Sequence, residues 1–219
     1  MSVPAVVPLS IEISDRGVGL LCLAILIALV VRTALVYRAT GRFPIRIKPS
    51  DSVDDYLHFV LVAVLAGFFV NLVLLRLPSW LAAAPGTTLA ALYDIAGPFA
   101  VLEQPAVRLV GVVVAAVGLA LGALAQHQMG ASWRVGIDRD TPTDFVRHGL
   151  FAVARHPIYL AFIGVGAGLF LAMPSALTAA ALAVMIVTLG VQARLEEAFM
   201  RTRHGEAYAA YLETTRRWL

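Results

Sequence analysis

Charge is scarce in this sequence. Asp, Glu, Lys and Arg make up 14% of its 219 residues, against about a quarter in ordinary soluble domains. Hydrophobic residues make up 60%, and the mean hydropathy is +0.83. A chain this poor in charge cannot cover a water-facing surface, and it reads as an integral membrane protein. Cysteine is almost missing as well. Cys22 stands alone, which excludes an intramolecular disulfide and any cysteine-built metal site. The H-x-x-H and H-E-x-x-H spacings of helical metal sites are absent, so no metal is expected. There is no G-x-S-x-G, no Walker loop and no G-x-G-x-x-G after a strand, which argues against a familiar hydrolase and a Rossmann nucleotide domain. The N-terminal stretch lacks a basic region before its first apolar run and a small-residue cleavage site after it, so no removable signal peptide is expected. The net charge of +3 and the pI near 9.3 do not call for a nucleic-acid partner, because basic residues in a polytopic chain mark its cytoplasmic loops.

What is present is a set of long apolar blocks. Residues 18–37, 56–77, 105–126, 158–173 and 175–193 read as transmembrane helices, each close to the ~20 residues that cross a bilayer. The fourth is short. Between the last two, Pro174 and Ser175 supply a tight turn and a capping hydroxyl, making a helical hairpin within one apolar stretch. Thirteen of the 17 Lys and Arg residues fall in 38–55, in 127–157 and after residue 193. With five spans these segments share one side, which the positive-inside rule makes cytoplasmic, leaving the N-terminus opposite. Residues 87–103 are apolar but carry Asp94, Pro98 and Glu103. A sixth span there would split the basic segments between sides, so an interfacial or re-entrant helix is expected. The expected fold is an all-α, polytopic transmembrane bundle of about five spans.

Nearly every group capable of chemistry lies on the expected inner side. His127, His148, His156 and His204 are four of the five histidines. Arginines beside a span ordinarily snorkel, and interfacial tyrosines and tryptophans ordinarily anchor. Glu196 and Glu197 are harder to explain, since carboxylates after the fifth span contribute nothing to anchoring. Arg194, three residues before Glu197, offers a surface ion pair. Alternatively one glutamate faces inward. Adjacent residues point ~100° apart on a helix, so at most one is expected to face a given pocket squarely. Gly164, Gly166 and Gly168 sit within an apolar helix, where they favour close helix packing.

Three stretches in order, "MGASWRVG", "HGLFAVARHPIYL" and "RLEEAFMRTRHGEAYAAYLETTRRWL", resemble the C-terminal core of the isoprenylcysteine carboxyl methyltransferase family and its phospholipid methyltransferase relatives. The resemblance covers about residues 127–219, leaving 1–126 as N-terminal transmembrane helices with the interfacial segment near 87–103. The chain departs from the family at His204-Gly205, where Phe-Gly is common, and in ending at "RRWL". The resemblance implies a cytoplasmic C-terminal pocket for S-adenosylmethionine and methyl transfer to a lipid or isoprenoid-type acceptor reached from the bilayer. Arg155 or His156 would meet the cofactor's carboxylate, helped by the helix N-terminus that Pro157 begins. Glu196 or Glu197 would meet its ammonium, and Tyr159 and Tyr208 would pack on adenine or ribose. Glu197 or His156 would serve as base for an amine acceptor, and Arg134 or Arg217 would hold an anionic head. Two rival readings are an NADPH-dependent sterol or lipid reductase and a non-catalytic lipid-binding module.

Overall fold

The computed structural model describes residues 9–41, 52–76, 99–133 and 144–219. Over these the chain forms five α-helices: α1 (Leu9–Thr40), α2 (Val53–Arg76), α3 (Pro105–Met129), α4 (Pro157–Ala172) and α5 (Ala176–Thr214). Short 3₁₀ turns occupy Ala100–Leu102, Gly130–Ser132 and Gly149–Ala152. Among the described residues there is no strand, only an isolated parallel bridge between Ala154 and Arg216. The all-α expectation therefore holds, and each expected apolar block coincides with a helix. By length and composition α3 and α5 can cross a membrane, while α4, with 16 residues, is shorter. Of the segment near 87–103, only residues 99–103 are described, and they hold the first 3₁₀ turn.

Local chemistry sets the boundaries. Pro105 and Pro157 open α3 and α4 at the position where a missing N–H costs nothing. Ser175 caps α5 in a reciprocal box: its hydroxyl accepts from the Thr178 amide at 3.2 Å, and the Thr178 hydroxyl accepts from the Ser175 amide at 3.1 Å. The turn expected at Pro174-Ser175 is thus present. Helix α5 runs well past residue 193 and is broken at Gly205, whose φ of +51° is a conformation other residues adopt only with strain.

The centre of the bundle is a seam of small residues. The buried positions of α3 are Gly111, Ala115, Gly118, Gly122 and Ala125, alternating by four and three so that they form one stripe. They meet α4 at Ala161, Val165, Gly168 and Ala172. A Cβ on Gly168 would lie 2.4 Å from the Ala115 amide nitrogen, and one on Gly111 would lie 2.4 Å from that of Ala172. Backbones this close are packed by dispersion, the form of helix association that works where lipid removes the hydrophobic drive. Gly168 therefore acts as expected, and Gly166 opens space for the Met185 side chain of α5. Leu20, Val30, Leu65, Val113 and Val187 are exposed on the outside of the bundle, a surface suited to acyl chains.

Hydrogen bonds bring several helix ends together. Arg32, late in α1, donates to the carbonyls of Gln126 and Gly130 at the end of α3, at 2.5 and 2.7 Å. Asp54, at the start of α2, accepts from Gln192 of α5 at 2.5 Å. At the other end of the bundle the Phe99 amide donates to the Pro174 carbonyl at 2.9 Å. The Tyr159 hydroxyl near the start of α4 lies close to Asp54 at the start of α2 and to Gln192 of α5.

Candidate active site

The segment before α4 is fixed from both sides. The Gln128 side chain accepts from the Leu150 amide at 2.9 Å, and the Tyr211 hydroxyl donates to the Phe151 carbonyl at 2.5 Å. Beyond it the chain lies beside the C-terminal tail, with the Arg155 amide donating to the Arg216 carbonyl at 2.9 Å. The last residues of the protein are thereby laid over the first turn of α4.

Glu197 is the centre of the arrangement. It is 3% exposed, and a carboxylate so buried is tolerable only when its oxygens are satisfied by charged donors. Arg217 supplies two parallel bonds, Nε to Oε1 at 2.8 Å and NH2 to Oε2 at 2.7 Å, the planar fork that matches a carboxylate. Arg155 NH1 adds a third at 3.1 Å while its Nε holds the Thr215 carbonyl at 2.7 Å. His156 Nε2 lies 3.3 Å from Oε1. Arg194 does not make the simple helix-surface pair with Glu197, and its NH1 donates to the Gly190 carbonyl at 2.7 Å.

Glu196 is directed to the same place, against the expectation that only one glutamate would be. Its carboxylate accepts from the Tyr159 hydroxyl and lies 3.6 Å from His156 Nδ1. The flat imidazole accounts for this: its two nitrogens sit on opposite edges and reach one glutamate each. Stacking holds that ring in place, with Tyr159 at 5.3 Å and an interplanar angle of 4°, and Trp218 covering it at 5.9 Å. Glu196 keeps 31% of its side chain exposed, so it is the open member of the pair.

The protonation states follow from these contacts. Burial alone would raise the Glu197 carboxyl, but the bonds from Arg217 and His156 and the charge of Arg155 hold it well below the usual carboxylate range. Burial pulls His156 down, and bonds to Glu196 and Glu197 more than offset it, leaving the imidazole above its ordinary 6.5. Burial pushes the Tyr211 phenol up to about 12, and that of Tyr208 higher still, with Glu197 adding to the rise at Tyr208. Both stay neutral at physiological pH.

Of the residues expected at a site, Arg155, His156, Tyr159, Glu196 and Glu197 are brought into direct contact, and Pro157 is buried as the first residue of α4. Tyr208 is 3% exposed and sits one layer away, against Phe145 and Tyr211. Arg134 lies outside the described residues. Sequence reasoning missed four participants. Phe145 stacks on His204 at 5.3 Å, and His204 Nε2 is buried without a partner. Thr215 is recruited through its carbonyl, which no side-chain pattern reveals. Asp54 and Gln192 were legible only as polar residues at or inside apolar helices.

Fold and site together define an apolar helical bundle with ionisable groups gathered near the start of α4. Residues 106–207 match the family model described as phospholipid methyltransferase, a methyltransferase family, in agreement with the isoprenylcysteine carboxyl and phospholipid methyltransferase resemblance. The match runs from α3 through both glutamates and excludes α1, α2, Tyr208 and the tail. No curated protein and no solved structure matched the chain.

Proposed function

We propose that this chain is an S-adenosylmethionine-dependent methyltransferase that crosses the bilayer five times, with its site and C-terminus cytoplasmic and its N-terminus opposite. Its acceptor is a lipid or isoprenoid-type molecule entering from the membrane, and residues 127–219 are its catalytic core. The observation that carries this reading is the buried Glu197 carboxylate locked by Arg155 and His156 inside the segment that matches the family and by Arg217 of the tail beyond it, with Glu196 open beside it.

The residues present suit the cofactor. Its ammonium requires a carboxylate, and Glu196 is the accessible one. Its carboxylate requires a cation at the rim, and the Arg217 side chain, 32% exposed, is the guanidinium within reach. Its adenine requires flat apolar surface with an unmet polar atom beside it, which Phe145, Tyr208 and the unpartnered His204 Nε2 offer. When bound, the cofactor supplies an electrophilic methyl group on a sulfonium.

The protein's part in the chemistry is alignment in a dry site. Arg155 and Arg217 fix Glu197, which fixes His156, and Trp218 and the tail exclude water from that ring. Of the two residues considered as a base, Glu197 is too firmly ionised to hold a proton well. His156, raised above its ordinary value, is the better acceptor near neutral pH. Arg134 is assigned the anionic part of the acceptor.

Calorimetric titration of detergent-purified protein with S-adenosylmethionine, and separately with NADPH, tests the reading. Saturable binding of the first that is lost in Glu197→Ala is expected. Binding of NADPH alone would transfer the protein to reductase chemistry, and binding of neither would make it a non-catalytic module.

A further inference from the structure

Arg32 is a charge inside an apolar block. It stands in α1 next to Val30 and Val31, which are exposed on the outside of the bundle. A guanidinium within such a helix is costly unless it turns inward and finds partners. Its NH2 donates to the carbonyls of Gln126 and Gly130, at 2.5 and 2.7 Å. The guanidinium also lies 5.5 Å from the ring centre of Trp133, which is 4% exposed. Its Nε is buried without a partner among the described residues, so these few contacts supply the compensation.

The two carbonyls mark the end of α3. In the last turn the Gly130 amide bonds to the His127 carbonyl instead of that of Gln126, four residues back. The Gln126 carbonyl is thereby an orphaned acceptor at the negative end of the helix, where a cation is favoured. Gly130, with φ of +54° and ψ of −129°, makes a bend that other residues adopt only with strain. Arg32 holds the carbonyl of that bend, and so fixes how the chain leaves α3.

The same turn grips the segment before α4. The Gln128 side chain accepts from the Leu150 amide at 2.9 Å, and a Cβ on Gly149 would lie 2.5 Å from the Gln128 amide group. From there the chain runs on to Arg155 and His156. One end of α3 therefore holds α1 by its backbone oxygens and the site segment by Gln128. Helix α1 lies outside residues 106–207, which match the family.

We propose that Arg32 is a positioning residue for the candidate active site: it fixes the end of α3 and, through Gln128, the segment that carries Arg155 and His156. The inference rests on the methyltransferase reading for what the site binds. Hydrogen–deuterium exchange of the full chain in detergent, read by mass spectrometry, tests it without any cofactor. Arg32→Met keeps a similar length and removes both bonds. Exchange should quicken at least about tenfold over 126–133 and 149–156, the worth of a hydrogen bond to a charged group, and stay as in the parent around Phe99 and Pro174. Gln128→Ala should quicken 149–156 alike, and the double variant no more than either single one, since both act through one linkage. Arg32→Lys keeps the charge but spans the two carbonyls less well. It should fall between, and it supplies the measurement if Arg32→Met does not purify. S-adenosylmethionine affinity should follow the same order, falling about tenfold in Arg32→Met. Unchanged exchange over 149–156 in both Arg32 variants, uniform quickening along the whole chain, or fully additive effects in the double variant would overturn the proposal and leave the methyltransferase reading intact. Localised, non-additive quickening in a chain that binds no S-adenosylmethionine would instead remove the methyltransferase reading and keep the link from Arg32 to the segment.

Discussion

The α3–α4 seam and the Glu197 cluster, which ties the start of α4 to α5 and the tail, hold the bundle together by opposite means. In the seam, Gly111, Ala115, Gly118 and Gly168 bring backbones together with no polar side chain involved, and its strength is contact distance. In the cluster, Arg155, His156, Arg217 and Glu197 are long side chains whose strength is charge and hydrogen bonding. The seam is intolerant of added volume and indifferent to pH. The cluster responds to protonation. In the proposed function the first serves permanence and the second serves ligand binding.

The comparison breaks most sharply at the seam. Gly168→Val would drive a side chain into the Ala115 backbone and should cost about 3 kcal/mol or more; the protein should fail to purify as a monodisperse species, read by size-exclusion chromatography. Next comes Glu197→Gln, which strands Arg155 and Arg217 beside a neutral amide. Breaking such a buried pair costs about 3 kcal/mol, so the melting midpoint should fall and S-adenosylmethionine affinity should drop by more than about tenfold. Tyr159→Phe keeps the ring stacked on His156 and removes the bond to Glu196. It should lower turnover several-fold, by about the worth of one hydrogen bond to a charged group, and leave stability nearly unchanged.

The pH response sharpens the contrast from another direction. His156 is raised in the folded protein, so its contribution is fully present below its unfolded value of 6.5 and is lost as pH rises through the higher folded value. Glu197 is depressed, so its contribution is present above the unfolded carboxylate value and is lost only as pH falls into strongly acid solution. Melting curves from pH 6 upward should therefore show a decline that His156→Gln abolishes and a seam substitution such as Gly118→Ala does not. The smallest effect belongs to the far end of the bundle, where Ser175→Ala should cost about 1 kcal/mol through loss of the α5 cap without altering ligand binding.

Much of this was readable from residue order. The apolar blocks became helices because length and hydropathy dictate them, and Ser175 capped α5 because a hydroxyl after a proline turn has little else to do. Arg155, His156, Tyr159 and the two glutamates were found because they recur in a recognisable order. Two features were not readable. That both glutamates address one histidine depends on the width of an imidazole placed between them. That Asp54 meets Gln192, 138 positions away, depends on how α2 lies against α5.

The sequence by itself determined that the chain is helical and apolar, where its helices begin, and which ionisable residues lie at one end, because hydropathy, proline and capping chemistry act over a few neighbouring residues. Only the tertiary structure decided which of those residues are satisfied and which are left open. Arg155 and Arg217 are bonded to Glu197, Glu196 remains accessible, and Gln192 keeps an unmet oxygen. Those outcomes follow from distances between helices, and distance is the quantity a linear order of residues does not contain.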